Sequence, residues 1–196
     1  MIEHIKANLV EARSALDQLM TNETTLVAIE QAGQCLADCF RQQGHVYSCG
    51  NGGSMCDAMH FAEELAGRFR QDRAALGAMA MADGAYLTCA GNDFGFDEVF
   101  ARFVEAHGRS GDVLLAISTS GKSENVLRAV RRAQERSMKV IGLTGRPQSA
   151  LGELVDIEIC TPGGSYADRV QELHIKVIHI LIELVERQMF GEAKEA

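Results

Sequence analysis

Twice along this chain a short apolar stretch runs into a turn of glycines and hydroxyls and then into a helical pattern, and that repeat limits the fold more than any other feature. The first unit is Val46-Tyr47-Ser48-Cys49, then Gly50-Asn51-Gly52-Gly53-Ser54, then a helix reaching about residue 69. The second is residues 112–117, then Ser118-Thr119-Ser120-Gly121-Lys122-Ser123, then a helix over 124–137. Glycines let backbone N–H groups close around an anion at the positive N-terminal end of a helix. Two such turns in one small domain point to a phosphorylated ligand held between them. Strands that alternate with helices imply parallel crossovers. Ligands of such sheets lie at the carboxyl ends of the strands, where both turns fall.

The remaining pattern extends the same architecture. Helical periodicity covers 2–20 and 25–42, with Thr21-Asn22-Glu23-Thr24 as a polar break and a source of N-caps. A short second strand is expected over 77–81. Helices are expected over 85–90 and 97–107, with Gly91-Asn92-Asp93-Phe94-Gly95 as the turn between them. A fourth strand over 139–143, a fifth over 155–160 and a long last helix over 166–189 complete the reading. The expected fold class is α/β: a doubly wound, mainly parallel five-stranded sheet flanked by helices, with N-terminal helices to about residue 43. One domain over 1–196 accounts for the whole chain.

Composition excludes several functions. A length of 196 residues is enough to bury a substantial core. A net charge of −8 argues against a basic nucleic-acid footprint and against binding to anionic membranes. Any phosphate must then be held by local backbone and hydroxyl groups. The start, Met1-Ile2-Glu3-His4-Ile5-Lys6, lacks the apolar core of a secretion signal, and no uncharged run approaches a membrane span, which gives a cytoplasmic expectation. The six cysteines, Cys35, Cys39, Cys49, Cys56, Cys89 and Cys160, form no CxxC pair and are expected as reduced thiols packed like small apolar residues.

The first turn lacks the GxxxxGK[ST] spacing of a Walker loop and the GxGxxG of a dinucleotide site. In the second, capping explains one or two of Ser118, Thr119, Ser120 and Ser123. Four hydroxyls in six positions fit a sugar phosphate better. His60 and Glu64, spaced i, i+4, share a helical face roughly opposite the stripe Met55, Ala58, Ala62, Leu65 and Phe69. By themselves they describe a solvated ion pair, and they gain a functional reading only where that face lines a cleft or meets another subunit. In the last helix His179 falls on the polar stripe of Glu172, Lys176 and Glu183, His174 lies nearly opposite and suits internal packing, and Gln171 carries no signal alone. Otherwise residues 175–185 are apolar almost all round, which calls for burial on several faces and is met most easily by oligomerising.

The stretches SCGNGGS, DAMHFAEEL, GNDFGF, GDVLLAISTSGKSENV and YADRVQELHIKVIHILIELVE resemble the bacterial phosphoheptose isomerases over essentially the whole chain. These are sedoheptulose 7-phosphate isomerases of the sugar isomerase (SIS) domain superfamily. The resemblance implies conversion of D-sedoheptulose 7-phosphate to D-glycero-D-manno-heptose 7-phosphate, the first step toward the heptose of lipopolysaccharide core. It also implies a homotetramer with one Zn2+ per subunit and active sites at subunit interfaces. Substrate contacts are implied for Asn51, Gly52, Gly53, Glu64, Asn92, Asp93, Ser118, Thr119, Ser120, Ser123, Asp168 and Gln171. His60, Glu64, Gln171 and His179 would form the metal and catalytic cluster, with Glu64 and His179 as base and acid. Met55 stands where some members have histidine, and Gly163-Gly164-Ser165 replaces a bulkier loop.

Two other readings compete. Non-catalytic relatives use the same scaffold to bind a replication-initiator partner but lack the acid/base set, so His60, Glu64 and His179 together favour the enzyme. A sugar-phosphate-sensing regulator would carry a DNA-binding domain, and the sequence shows no sign of one. Gln171 and His179 are eight residues apart, about 12 Å along one helix and roughly 80° around it. That separation, with the outward face of His60 and Glu64, gives the expectation of a site shared between subunits. Whether Glu64 and His179 come from one chain or two is open at the level of sequence.

Overall fold

The central strand shows why the chain layers as it does. In a computed structural model, which describes residues 1–164 and 166–191, β3 (Val113–Ser118) is buried at every position. Val113, Leu115 and Ile117 join the core on one face and Leu114 and Ala116 the core on the other, because successive side chains of a strand alternate. A strand covered on both sides therefore reads as one apolar run. Beside it stand β1 (Val46–Cys49), β2 (Ala78–Ala80), β4 (Lys139–Thr144) and β5 (Ile157–Cys160), in the order β2-β1-β3-β4-β5 with every pairing parallel. One face is covered by α1 (Ile2–Met20), α2 (Glu23–Arg41), α3 (Gly53–Ala66) and α8 (Ala167–Phe190). The other is covered by α4 (Gly84–Phe94), α5 (Val99–His107), α6 (Glu124–Glu135) and α7 (Ala150–Leu154). The doubly wound α/β sheet expected from sequence is the one observed.

Strand order reverses at β1, since the chain passes from β1 outward to β2 and returns to β3 on the other side. Both glycine-hydroxyl turns leave the carboxyl ends of β1 and β3, where Cys49 stands in register with Ala116. That is the switch point at which sheets of this kind bind ligands.

Several local expectations are corrected. Asn92 and Asp93 lie in the last turn of α4 rather than in a loop. Gly91 stays helical, with room for a Cβ against Val99, and the helix stops at Gly95, whose φ of +86° belongs to the left-handed region. The five-residue α7, capped by Ser149 accepting from the Gly152 N–H, is too short to show a period. The apolar girth of α8 is met inside the chain: Leu173, Val177, Ile178, Leu181, Ile182 and Val185 are buried, and the helix packs on α1, α2 and α3. The large apolar side chains left in solvent include Ile2, Ile5, Leu9 and Val10 of α1 instead. All six cysteines are free thiols, but Cys56 and Cys89 are exposed rather than packed. Burial pushes the Cys39 and Cys49 thiols up to about 12, which leaves them unreactive. Among the described residues no helix is long and apolar enough to cross a membrane. Ser165, part of the loop that replaces a bulkier one, lies outside the described residues.

Candidate active site

The first turn is built on backbone freedom. Gly52, the N-cap of α3, has φ +55° and open space where a Cβ would stand. Behind it the buried Ser48 hydroxyl donates to the Ala58 carbonyl at 2.8 Å and pins β1 to α3. Asn51 and Asn125 exchange amide hydrogen bonds, 2.9 Å in each direction, and so join the two turns across the switch point. Asn125 is buried, and its Oδ1 also accepts from the Val126 N–H at 3.0 Å. Sequence reasoning missed it, because an asparagine in the first turn of a helix signals only local capping.

In the second turn the four hydroxyls divide. Ser118 is buried; its Oγ accepts from the Gly121 N–H at 3.2 Å and lies 3.2 Å from the Ser123 Oγ. Ser123 is the N-cap residue of α6 but makes no side-chain cap bond. The exposed Ser120 hydroxyl accepts from the Lys122 N–H at 3.3 Å, and Thr119 is half-buried. Gly121, at φ +62°, allows the turn to close on α7, since a Cβ there would stand 2.3 Å from Ser149. Ser118, Ser120 and Ser123 thus all make contacts within the turn, and of the four only Ser120 is exposed.

The second centre joins α3 to α8. His60 Nε2 lies 3.3 Å from Glu64 Oε1 and 3.4 Å from His179 Nε2, and the ligand atoms of all three residues fall within 4.8 Å of one another. The contact expected between His60 and Glu64 is present, but on a half-buried face that meets α8 in the same chain. The three residues therefore converge within one subunit, and the idea that Glu64 and His179 come from different chains is set aside. Burial lowers the His179 pKa, with His60 adding to the effect and Glu64 opposing it. The rings of His60 and Phe69 flank His179 at centroid distances of 5.0 and 5.6 Å. Zinc with ligand bonds of about 2.0–2.2 Å in a tetrahedron sets its ligand atoms roughly 3.3–3.6 Å apart. The donor set suits such an ion, and the two spacings from His60 match this range, with the third pair inside 4.8 Å.

The other expected site residues are distributed more widely. Gln171 stands with its amide against Gly53, where a Cβ would lie 2.6 Å from Nε2. Because Gln171 meets the start of α3 and His179 its later turns, the two helices run in the same direction. Asp168 is exposed on the first turn of α8 and accepts from the Arg169 N–H at 2.8 Å. Asn92 donates to the Asp93 carboxylate at 2.9 Å on an exposed helix end. Asp57, one turn before His60, carries no signal in the sequence; one of its oxygens is buried without a partner among the described residues, and burial pushes the carboxyl up to about 6 against the opposing pull of His60. His174 packs inside as expected, fully buried, with Nε2 3.1 Å from the Thr144 carbonyl.

A family model for the SIS domain matches residues 9–145. The phosphoheptose isomerase of Aeromonas hydrophila is 55% identical over 187 residues, 95% of this chain and 97% of that protein. The chain belongs to the phosphoheptose isomerase family of SIS-domain proteins. The member from Histophilus somni is 52% identical over 188 residues, covering 96% of each chain. Among solved structures, the phosphoheptose isomerase of Francisella tularensis matches with a TM-score of 0.89 and 35% identity over 95% of this chain and 98% of that one. The Neisseria gonorrhoeae phosphoheptose isomerase gives 0.87 and 38%, over 94% and 97%. Family membership makes the two turns at the switch point and the His60, Glu64 and His179 cluster the candidates for a phosphosugar isomerase site.

Proposed function

We propose that the chain isomerises D-sedoheptulose 7-phosphate to D-glycero-D-manno-heptose 7-phosphate in the cytoplasm, supplying the heptose of lipopolysaccharide core or a related glycan. The observation that carries this reading is the convergence of His60, Glu64 and His179 in a chain that is 55% identical to a phosphoheptose isomerase. Moving the carbonyl from C2 to C1 removes a proton from C1, delivers one to C2 and shifts one from O1 to O2. Glu64 serves as the base at carbon, and His179, kept toward its neutral form by burial, exchanges protons with the oxygens. The backbone N–H groups and hydroxyls of the second turn hold the phosphate and so place C1 and C2 in reach of these groups. His60, Glu64 and His179 would hold a zinc ion, which when bound acts as a Lewis acid on the two oxygens. Three protein donors leave a position open to substrate, as a catalytic site needs. Gln171, from its place against Gly53 at the start of α3, serves the substrate end of the site.

The homotetramer belongs to the same proposal. Its support is the exposed row Ile2, Ile5 and Leu9 on α1, Ile180 exposed beside His179, and Phe94 and Phe96 exposed beside Asn92 and Asp93. A scaffold that only binds a partner protein has no use for three titratable side chains brought within 4.8 Å, which counts against the non-catalytic reading. Incubation of the zinc-loaded protein with sedoheptulose 7-phosphate is expected to give the aldose anomeric signals by proton NMR. Their absence at micromolar enzyme would overturn the assignment.

Gly53→Ala tests the seat of Gln171. The added Cβ meets only the end of a flexible side chain, so stability is expected to stay within about 1 kcal/mol. Gln171 must move, and the loss of one substrate hydrogen bond is expected to raise KM roughly tenfold with a smaller change in kcat. Steady-state kinetics alongside urea unfolding checks both halves.

A further inference from the structure

We propose that Arg73 is a positioning residue that fixes the separation of Glu64 and His179 by tying together the ends of the two helices that carry them. The last carbonyls of a helix lack intrahelical donors. At the end of α3, Arg73 supplies them from outside: Nη2 donates to the Glu64 carbonyl at 2.7 Å, and Nη1 to those of Leu65 at 2.8 Å and Gly67 at 3.0 Å. A cation at this end is also favoured by the helix dipole. The remaining edge of the same guanidinium faces α8, where Nε donates to Glu186 Oε1 at 2.9 Å. Glu186 follows His179 by seven residues, two turns on, and so lies on the same side of α8. The Arg73 side chain is 4% exposed and that of Glu186 15%, so solvent does not loosen the tie.

The neighbouring pair of Arg70 and Glu183, 3.0 Å apart, joins the segment after α3 to α8, but Arg70 is 59% exposed and such a pair holds position weakly. Arg73 is different because a planar fork reaches carbonyls and a carboxylate at once, which a lysine ammonium on its flexible stem does not. The Glu64 carbonyl it holds shares a residue with the carboxylate that lies 3.3 Å from His60, so a shift of the last turn of α3 carries the carboxylate with it. A misplacement of about 1 Å at reacting groups can cost on the order of 10²-fold in rate. The hydrogen bonds of Arg73 go to residues 64–74 and to Glu186, away from both turns at the switch point, so phosphate binding is expected to be spared.

The kinetic arm of the test rests on the isomerase reading, and a spectroscopic arm does not. In zinc-loaded Arg73→Lys, kcat on sedoheptulose 7-phosphate is expected to fall at least roughly tenfold with KM within about twofold. In the metal-free protein the imidazole NMR signals of His60 and His179 are expected to shift from their positions in the parent. Glu186→Gln, which keeps the packing and an acceptor oxygen, is expected to show the same changes at smaller size. A merely structural role would lower the unfolding midpoint and leave kcat and both imidazole signals of the folded protein unchanged, and that result overturns the proposal. If Arg73→Lys does not fold, Glu186→Gln decides in the same terms. If the parent itself does not turn over sedoheptulose 7-phosphate, the isomerase reading falls and the histidine signals still decide whether Arg73 positions the two side chains.

Discussion

Glu64→Gln is expected to lower turnover by roughly 10²-fold or more, the loss typical of removing a general base, with the unfolding midpoint nearly unchanged. The substitution keeps the size of a half-buried side chain and removes only its charge and basicity. His179→Ala is expected to match it in kcat, though with some loss of packing against Phe69. Because His60, Glu64 and His179 meet within one chain, mixing the two inactive proteins under subunit exchange is expected to restore nothing. Every site in the mixture lacks one of the two groups. Recovery of activity in the mixture would show that the working site draws Glu64 and His179 from different subunits, against the convergence of the three side chains in one chain.

Native stability is expected to fall by roughly 3 kcal/mol between pH 6.5 and pH 4 through His174 alone. This ring is fully buried; Nε2 faces the Thr144 carbonyl and must carry the proton, and Nδ1 is buried with no partner among the described residues. Burial lowers its pKa from 6.5 to about 4, only partly offset by the bond to Thr144. Between those values the unfolded chain takes up a proton that the folded chain refuses, so the contribution is intact above about 6.5, declines as pH falls, and levels near 4. His174→Leu removes the titrating group, and the Thr144 carbonyl keeps the Thr161 N–H at 2.9 Å. Urea unfolding of the variant is expected to lose this slope while matching the parent within about 1 kcal/mol at pH 7.5. An unaltered slope in the variant would remove His174 from the acid response.

What could be read from sequence was what local chemistry specifies. The bounds of α1 and of β1 follow from short-range periodicity and are where the sequence put them, and the two turns follow from glycine and hydroxyl spacing, though Gly53 and Ser54 of the first already belong to α3 and Ser118 of the second still belongs to β3. The reading failed where a local signal was ambiguous: Gly91-Asn92-Asp93 resembles a turn, yet the helix continues through Phe94 and is closed by Gly95, since one internal glycine costs a helix only about 1 kcal/mol. The site was legible as residues and not as an arrangement. His60 and His179 are 119 positions apart, and only the packing of α3 on α8 decides that they meet in one chain. Arg73 and Asn125 were invisible for another reason. Their partners are mainly backbone carbonyls or a residue 74 positions away, and neither leaves a pattern in composition or spacing.

The exchanged amides of Asn51 and Asn125 bear on how a ligand is met. Each side chain gives a donor and an acceptor to the other, so neither turn can drift without stranding the buried Asn125 amide at a cost of about 1–3 kcal/mol. The mouth between β1 and β3 is therefore cast during folding, and the ordering cost falls there rather than on association. A ligand arriving at this mould finds its width already decided. A scaffold of this kind adapts to a larger or smaller guest only when both amides change together, since altering one leaves the other unmatched.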